Sequence, residues 1–264
     1  MPYRLDIPDA STDTFDRLVD LGALDAELAG NQAVAALMPD AVSLEQVVRA
    51  LRTDAVTMSP AIGRDSDSVW LLTPRPVAIG RLRIVPAGTT PAADAIAVID
   101  SGAFGTGFHP TTALCVEAVI DAVSAIRPAS VLDVGTGSGI LALAALKLGV
   151  GRAVGLDTDG ESLRAAAANA DANDLTQELR LIQGGPDAVR GAWPLVLANI
   201  VASPLIELAP TIVRRVGHHG WLVLSGISTS VQPDVEHAYR RLGMRRIGAA
   251  SRGGWVALTL QASW

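Results

Sequence analysis

Apolar positions along the second half of this chain alternate between the short runs of strands and the broad faces of buried helices. A run at 131–134 reaches the turn Gly135-Thr136-Gly137-Ser138-Gly139 and passes into 140–148, apolar on nearly every side. The pattern predicts a strand, a tight turn and a buried helix. A second run, 152–156, ends on Asp157, at about the spacing from Gly139 that sets a carboxylate beside a nucleotide ribose. The alternation then continues as a helix at 160–172, strands at 179–182 and 194–200, a helix at 204–216 and a strand at 221–225. A helix at 231–242 and strands near 244–249 and 255–260 close the chain. Such alternation implies a largely parallel sheet covered on both faces, with ligands at the carboxyl ends of its strands.

The first sixty residues have a finer grain. Positions 3–7 alternate as a strand, 13–21 set Phe15, Leu18 and Val19 on one helical face, and Gly22 stops that helix. Two strands are expected in 24–38 around Gly30-Asn31. Ser43-Leu44-Glu45-Gln46 opens a capped helix through Leu51, and 55–58 closes a small α+β unit of the ferredoxin-like kind. Residues 59–97, rich in Pro, Gly, Thr and charge, carry strand-like pieces at 69–72 and 82–85, with Trp70 as a residue that packs the linker to the core or else meets a partner. They read as a linker and the rim of the next domain. The expected division is 1–58, 59–97 and 98–264.

Composition narrows the class. With 264 residues, 49% of them hydrophobic, there is ample material for a core. No uninterrupted apolar run reaches a membrane span, and the opening MPYRLDIPDAS lacks a basic-then-apolar leader pattern, so a cytoplasmic protein without membrane attachment is expected. Cys115 is the single cysteine, which leaves no internal disulfide or cysteine-based zinc cluster. His218 and His219, read as a loop, and His237, on a helix, have no acid or cysteine at a ligand spacing; no metal site is expected. The net charge of −6 falls within residues 1–56, which hold ten acids and four bases, while the remainder is neutral. An acidic front segment attracts a basic partner and repels a nucleic-acid backbone, unless it is only a solvated face.

The glycines of 135–139 let a ligand approach backbone amides at a helix start. Gly137 to Ala142 also fits the G-x-G-x-x-A of dinucleotide enzymes. Asp133 argues against a pyrophosphate there and suits the ammonium of an amino-acid-bearing nucleoside, S-adenosylmethionine. A dinucleotide oxidoreductase, a silent binding protein and a merely structural turn stay open on these residues. Ahead of the nucleotide unit, 99–112 reads IDSGAFGTGFHPTT, a polar loop before a helical run to Ile126. Its glycines and threonines suit a cover that presents hydroxyls and amides to a carboxylate. His109 there is either a base or a hydrogen-bonding scaffold residue. Asn199, at a strand end, can pair with an amine or a carboxylate, or simply make a turn.

Taken together, AFGTGFHPTT at 103–112, VLDVGTGSGILALAALKLG at 131–149, GLD at 155–157, LANI at 197–200 and GWLVLSGI at 220–227 resemble the PrmA family, bacterial methyltransferases of large-subunit ribosomal protein eleven. The order holds from about residue 95 through the closing GGWVAL at 253–258; the N-terminal part is similar in size and layout. The resemblance implies a Rossmann-like, seven-stranded class I methyltransferase domain behind a small ferredoxin-like domain that holds a ribosomal substrate. It also implies methyl transfer from S-adenosylmethionine to lysine or N-terminal amines, with another basic protein as the alternative target and an NAD(P)-dependent oxidoreductase as the alternative reaction. The cofactor-binding candidates are Thr106, Thr112, Asp133, Gly135, Gly137, Asp157 and Asn199. Phe104 and Phe108 are candidate walls, no catalytic residue is assigned, and direct nucleic-acid binding is not expected.

Overall fold

Strand alternation organises the N-terminal unit, which the computed structural model describes together with most of the chain, at residues 2–29, 33–61, 76–88, 92–99 and 110–264. β1 (Tyr3–Ile7) buries Leu5 and Ile7 and turns Arg4 and Asp6 to the opposite face. It is followed by α1 (Thr12–Asp20), β2 (Asp25–Ala29), β3 (Ala33–Met38), α2 (Leu44–Leu51) and β4 (Thr57–Pro60). The strands pair antiparallel in the order β2-β3-β1-β4, the ferredoxin-like arrangement. Both helices start on a capping box. In α2 the Gln46 amide donates to Ser43 Oγ at 3.3 Å and the Ser43 amide to Gln46 Oε1 at 2.7 Å. Leu5, Ile7, Leu18, Val34, Met38 and Val47 form the core between sheet and helices. The closing strand begins two residues later than its alternation suggests. The Ala55 amide is held by Thr53 Oγ1 and the Val56 amide by the Asp54 carbonyl, so 53–56 is a turn made by its own polar groups.

Within the stretch expected as linker and rim lie three strands, β5 (Val77–Ile79), β6 (Leu82–Pro86) and β7 (Ala95–Val98), joined in one sheet. Ile79, Leu82, Ile84, Ile96 and Val98 share an apolar cluster with Val116 and Val119 of α3 (Pro110–Ile126) and Leu143 of α4 (Ile140–Lys147). Trp70 and the piece at 69–72 lie outside the described residues.

The larger sheet comprises β8 (Val131–Val134), β9 (Ala153–Asp157), β10 (Leu179–Gln183), β11 (Trp193–Asn199), β12 (Val216–Ser228), β13 (Met244–Arg252) and β14 (Trp255–Ala262). Its order is β10-β9-β8-β11-β12-β14-β13. The first five run parallel, and β14 is antiparallel to both of its neighbours. Val131, Leu195, Leu197 and Val223 face the side covered by α3 and α4; Leu132, Val134, Val196 and Leu222 face α6 (Ala202–Glu207), α7 (Ala209–Val213) and α8 (Gln232–Arg240). Burial on both faces is why these strands read as continuous apolar runs. α5 (Gly160–Ala172) flanks β9 and β10.

Two expectations need correction. The helix expected at 204–216 is two helices that meet at Leu208, because Pro210 has no amide to continue the ladder and α7 restarts from it. His218 and His219 are not in a free loop. They fall within β12, where Val216 pairs with Trp193 and Trp221 with Leu195, so 217–220 bulge out of the ladder with His219 at φ +51°.

Candidate active site

A cavity of about 520 Å³ opens at the carboxyl ends of β8, β9, β10 and β11. It is the place that a doubly wound sheet offers to a ligand. Its floor is the turn after β8. The Thr136 amide donates to the Leu156 carbonyl at 2.8 Å, the Gly139 amide to the Thr136 carbonyl at 2.8 Å, and α4 then begins. Gly135, at φ +69°, lies against the Ile200 side chain, and Gly226, at φ +80°, against the Ile200 backbone. A Cβ at either position would drive into Ile200, so the two glycines fix the residue that follows Asn199 at the cavity wall.

Asp157 lines the cavity from the end of β9. Its Oδ2 accepts from the Gly137 amide at 2.9 Å and its Oδ1 from the Asp159 amide at 3.0 Å. Each oxygen keeps a second lone pair, which suits a vicinal diol. Asp159 caps α5 through the amides of Glu161 and Ser162, and these bonds hold its carboxyl below the usual carboxylate range. Thr158 and Ser162 add hydroxyls to this wall, and Gly184, Gly185 and Pro186 after β10 close it.

On the other side, Asn199 at the end of β11 is 7% exposed, lines the cavity, and has no hydrogen-bond partner for Oδ1. Thr112, in the first turn of α3, is fully buried with its Oγ1 equally unpaired. Buried polar atoms are rarely left so, and the one on Asn199, which lines the cavity, marks a place for a polar ligand. Thr111, rather than Thr112, lines the cavity itself.

Asp133 is placed differently from the position expected of an ammonium partner on the cavity wall. Its carboxyl is completely buried beneath the turn, where Oδ2 accepts from Thr136 Oγ1 at 2.7 Å and Oδ1 is left without a hydrogen-bond partner. Burial pushes its pKa up to about 7; the Thr136 hydrogen bond and the nearby Ala142 amide oppose the shift, and the charge on Asp157 adds to it. Cys115 lies close by on α3. Burial pushes its thiol up as well, and it acts as a small core residue.

Two asparagines, Asn169 of α5 and Asn173 at its C-cap, were not singled out by the sequence pattern. Asn173 Oδ1 accepts from the Ala97 amide at 2.9 Å while its Nδ2 donates to the Ala97 carbonyl at 2.7 Å. Asn169 accepts from the Ile99 amide at 2.8 Å and donates to the Ser138 carbonyl at 2.9 Å. Helix α5 thereby pairs with β7 as a strand would, and ties the segment leading to residue 100 to the glycine turn. Their spacing of four residues on one helical face was the available signal.

The remaining lining is apolar: Ile200 and Val201 beyond β11, Pro204 and Leu208 of α6 and its end, and Trp255 at the start of β14. Val201 is 64% exposed and forms part of an apolar lip. Of the sequence candidates, Gly135, Gly137, Asp157 and Asn199 come together around the cavity, whereas Thr112 and Asp133 lie behind its wall. Thr106, with Phe104, Phe108 and His109, lies outside the described residues.

Comparison with known proteins points to one family. The family model described as ribosomal protein L11 methyltransferase (PrmA) matches residues 12–263. The ribosomal protein L11 methyltransferase of Myxococcus xanthus is 41% identical over 222 residues, covering 82% of this chain and 76% of the relative. That of Pelobacter propionicus is 37% identical over 209 residues, covering 76% and 68%. The crystal structure of ribosomal protein L11 methylase from Lactobacillus delbrueckii subsp. bulgaricus superposes with a TM-score of 0.64 at 31% identity, covering 72% of this chain and 99% of that one.

Proposed function

The chain belongs to the ribosomal protein L11 methyltransferase (PrmA) family, and from that premise we propose that it transfers methyl groups from S-adenosylmethionine to amines of ribosomal protein L11. Lysine side chains are the main acceptors, and an N-terminal α-amine is open to the same chemistry. The observation that carries this reading is one cavity with two unlike sides. Asp157 offers its free lone pairs on one side, and the unpaired Asn199 Oδ1 lies on the other, with the Thr112 hydroxyl behind it. The residues fit S-adenosylmethionine. Asp157 would hold the ribose hydroxyls, the 184–186 turn would border the base, and Gly135 and Asn199 would meet the amino-acid end, with Thr112 behind the wall they form. Family membership sets aside the dinucleotide reading of the glycine turn.

Bound there, S-adenosylmethionine supplies an electrophilic methyl group. The chain has to deliver a neutral amine in line with it, which requires alignment more than a strong acid or base. Val201, Pro204, Leu208 and Ile200 make an apolar approach in which a lysine ammonium is poorly solvated, so its pKa falls and the lone pair becomes available. Asn199 Oδ1 can accept an amine N–H and turn that lone pair toward the cavity. Trp255 adds a flat wall for the methylene stem and can hold the cation that forms as the new N–C bond is made.

Residues 1–58 are taken as the unit that recognises the protein substrate, and 59–97 as linker and rim, whose strands β5–β7 pack into the catalytic domain that continues through 98–264. The charge of −6 on residues 1–56 complements a basic ribosomal protein. Calorimetry with S-adenosylhomocysteine, followed by labelled-methyl transfer into purified L11, tests the proposal. Binding of NAD without binding of S-adenosylhomocysteine would sink it.

A further inference from the structure

The fold separates charges that the sequence total conceals. In a parallel α/β sheet the helices end where the strands begin, so one end of the domain collects helix C-termini and strand N-termini. Here Arg127 follows α3, Lys147 ends α4, Arg214 follows α7, and Arg240 with Arg241 closes α8. Helix C-termini favour cations, which accounts for these. It does not account for Arg152 just before β9, Arg190 ahead of β11, Arg245 and Arg246 at the start of β13, or Arg81 in the turn between β5 and β6. All the arginines just named are exposed. The acids Asp171, Asp174 and Glu178 gather beside β10, so the basic stretch runs from β9 across to β13. At the usual strand spacing this is roughly 24 Å.

Few of the arginines at this end meet a carboxylate. Arg4, Arg17, Arg83, Arg164 and Arg252 each meet a carboxylate within 3.4 Å. At the basic end, among the described residues, only Arg246 does so, with Glu236 at 2.9 Å. Two clefts open on it. One of about 460 Å³ is lined by Arg81, Ser124, Arg127 and Gly149, and one of about 250 Å³ by Arg240, Arg245 and Arg246 together with Glu236, the partner of Arg246. Trp264, 36% exposed and close to Gly243, supplies a flat apolar face beside them.

We propose that this end of the catalytic domain, opposite the ligand cavity, docks on the phosphate backbone of RNA. Guanidinium groups without a carboxylate partner bind phosphate through forked hydrogen bonds, and neutral partners such as Gln261 for Arg245, at 2.9 Å, and Ser124 for Arg81, at 3.3 Å, leave their charge available. An exposed indole beside these groups can stack on a base. The overall charge of −6 is no obstacle, because the acids lie chiefly in residues 1–56. The surface is independent of the methyl-transfer reading.

The test is fluorescence anisotropy of the full chain with a labelled RNA hairpin between about 50 and about 200 mM salt. Salt-sensitive binding is expected. The triple variant Arg127→Gln, Arg190→Gln, Arg245→Gln should weaken it at least about tenfold and flatten the salt slope by about 2. The same positions changed to Lys should keep most of the affinity, and unchanged melting temperatures show that the variants fold. Should the triple variant fail to fold, Arg240→Gln with Arg241→Gln takes its place with the same expectation. No RNA binding at low salt, equal binding by a folded Gln variant, or capture of phosphatidylglycerol vesicles in place of RNA would overturn the proposal.

Discussion

The Gly137 amide donates to Asp157 Oδ2 at 2.9 Å, so the turn after β8 and the end of β9 hold each other in place. One carboxylate thus shapes the glycine turn and presents its remaining lone pairs to the cavity. Replacing Asp157 with Ala should weaken S-adenosylmethionine binding by about 1.5–3 kcal/mol, through lost charge-assisted hydrogen bonds. Isothermal calorimetry checks this. Unaltered affinity in a folded variant would remove Asp157 from the site.

The unpaired Thr112 hydroxyl leads to an opposite pair of effects. A buried oxygen without a partner costs stability in the free protein, and from behind the cavity wall Thr112 can gain one only when that wall rearranges around a ligand. Thr112→Val should therefore leave the melting temperature of the free protein unchanged or raise it, while reducing cofactor affinity. A marked fall in melting temperature with intact binding would assign Thr112 to the core alone.

Asp133 makes a pH dependence. Its pKa in the folded chain is pushed up to about 7, above its value when unfolded, so the native state holds a proton that the unfolded state has released. Its contribution to stability is complete below the unfolded value near about 4 and is lost as pH rises through about 7. Asp133→Asn, which keeps an acceptor for Thr136, should remove up to about 1.4 kcal/mol per pH unit of decline across that window. Chemical denaturation from acidic to neutral pH would show it; parallel stability curves for the two proteins would contradict it.

The division of labour between the two units gives a further expectation. A chain lacking residues 1–60 should bind S-adenosylmethionine but lose most transfer to L11, because the alignment supplied by remote contacts is gone. For the intact enzyme, association with L11 should slow as salt increases. Full activity of the shortened chain at low substrate concentration would leave the acidic segment as solvated surface only.

Much of this was legible from local pattern. The turn from Gly135 to Gly139 and the carboxylate at Asp157 announced themselves because each answers a strict local demand of backbone and spacing. Ser43 and Gln46 marked a helix start for the same reason. What the pattern missed depends on distant partners. Asn173 looks like any polar helical residue until it meets Ala97, 76 positions away. Trp255 and the lip at Val201 reach the cavity only through the sheet order. The burial of Asp133 was hidden too, since a strand-end carboxylate faces a ligand or the space beneath a turn according to a single step of alternation. The basic end was invisible to a charge count, which sums what the topology separates.

The most direct measurement is mass spectrometry of purified L11 after incubation with this protein and isotope-labelled S-adenosylmethionine. The account predicts labelled methyl groups on lysine side chains, abolished by S-adenosylhomocysteine and sharply reduced by Asp157→Ala. Unmodified L11 in the presence of a folded, cofactor-binding enzyme would contradict it.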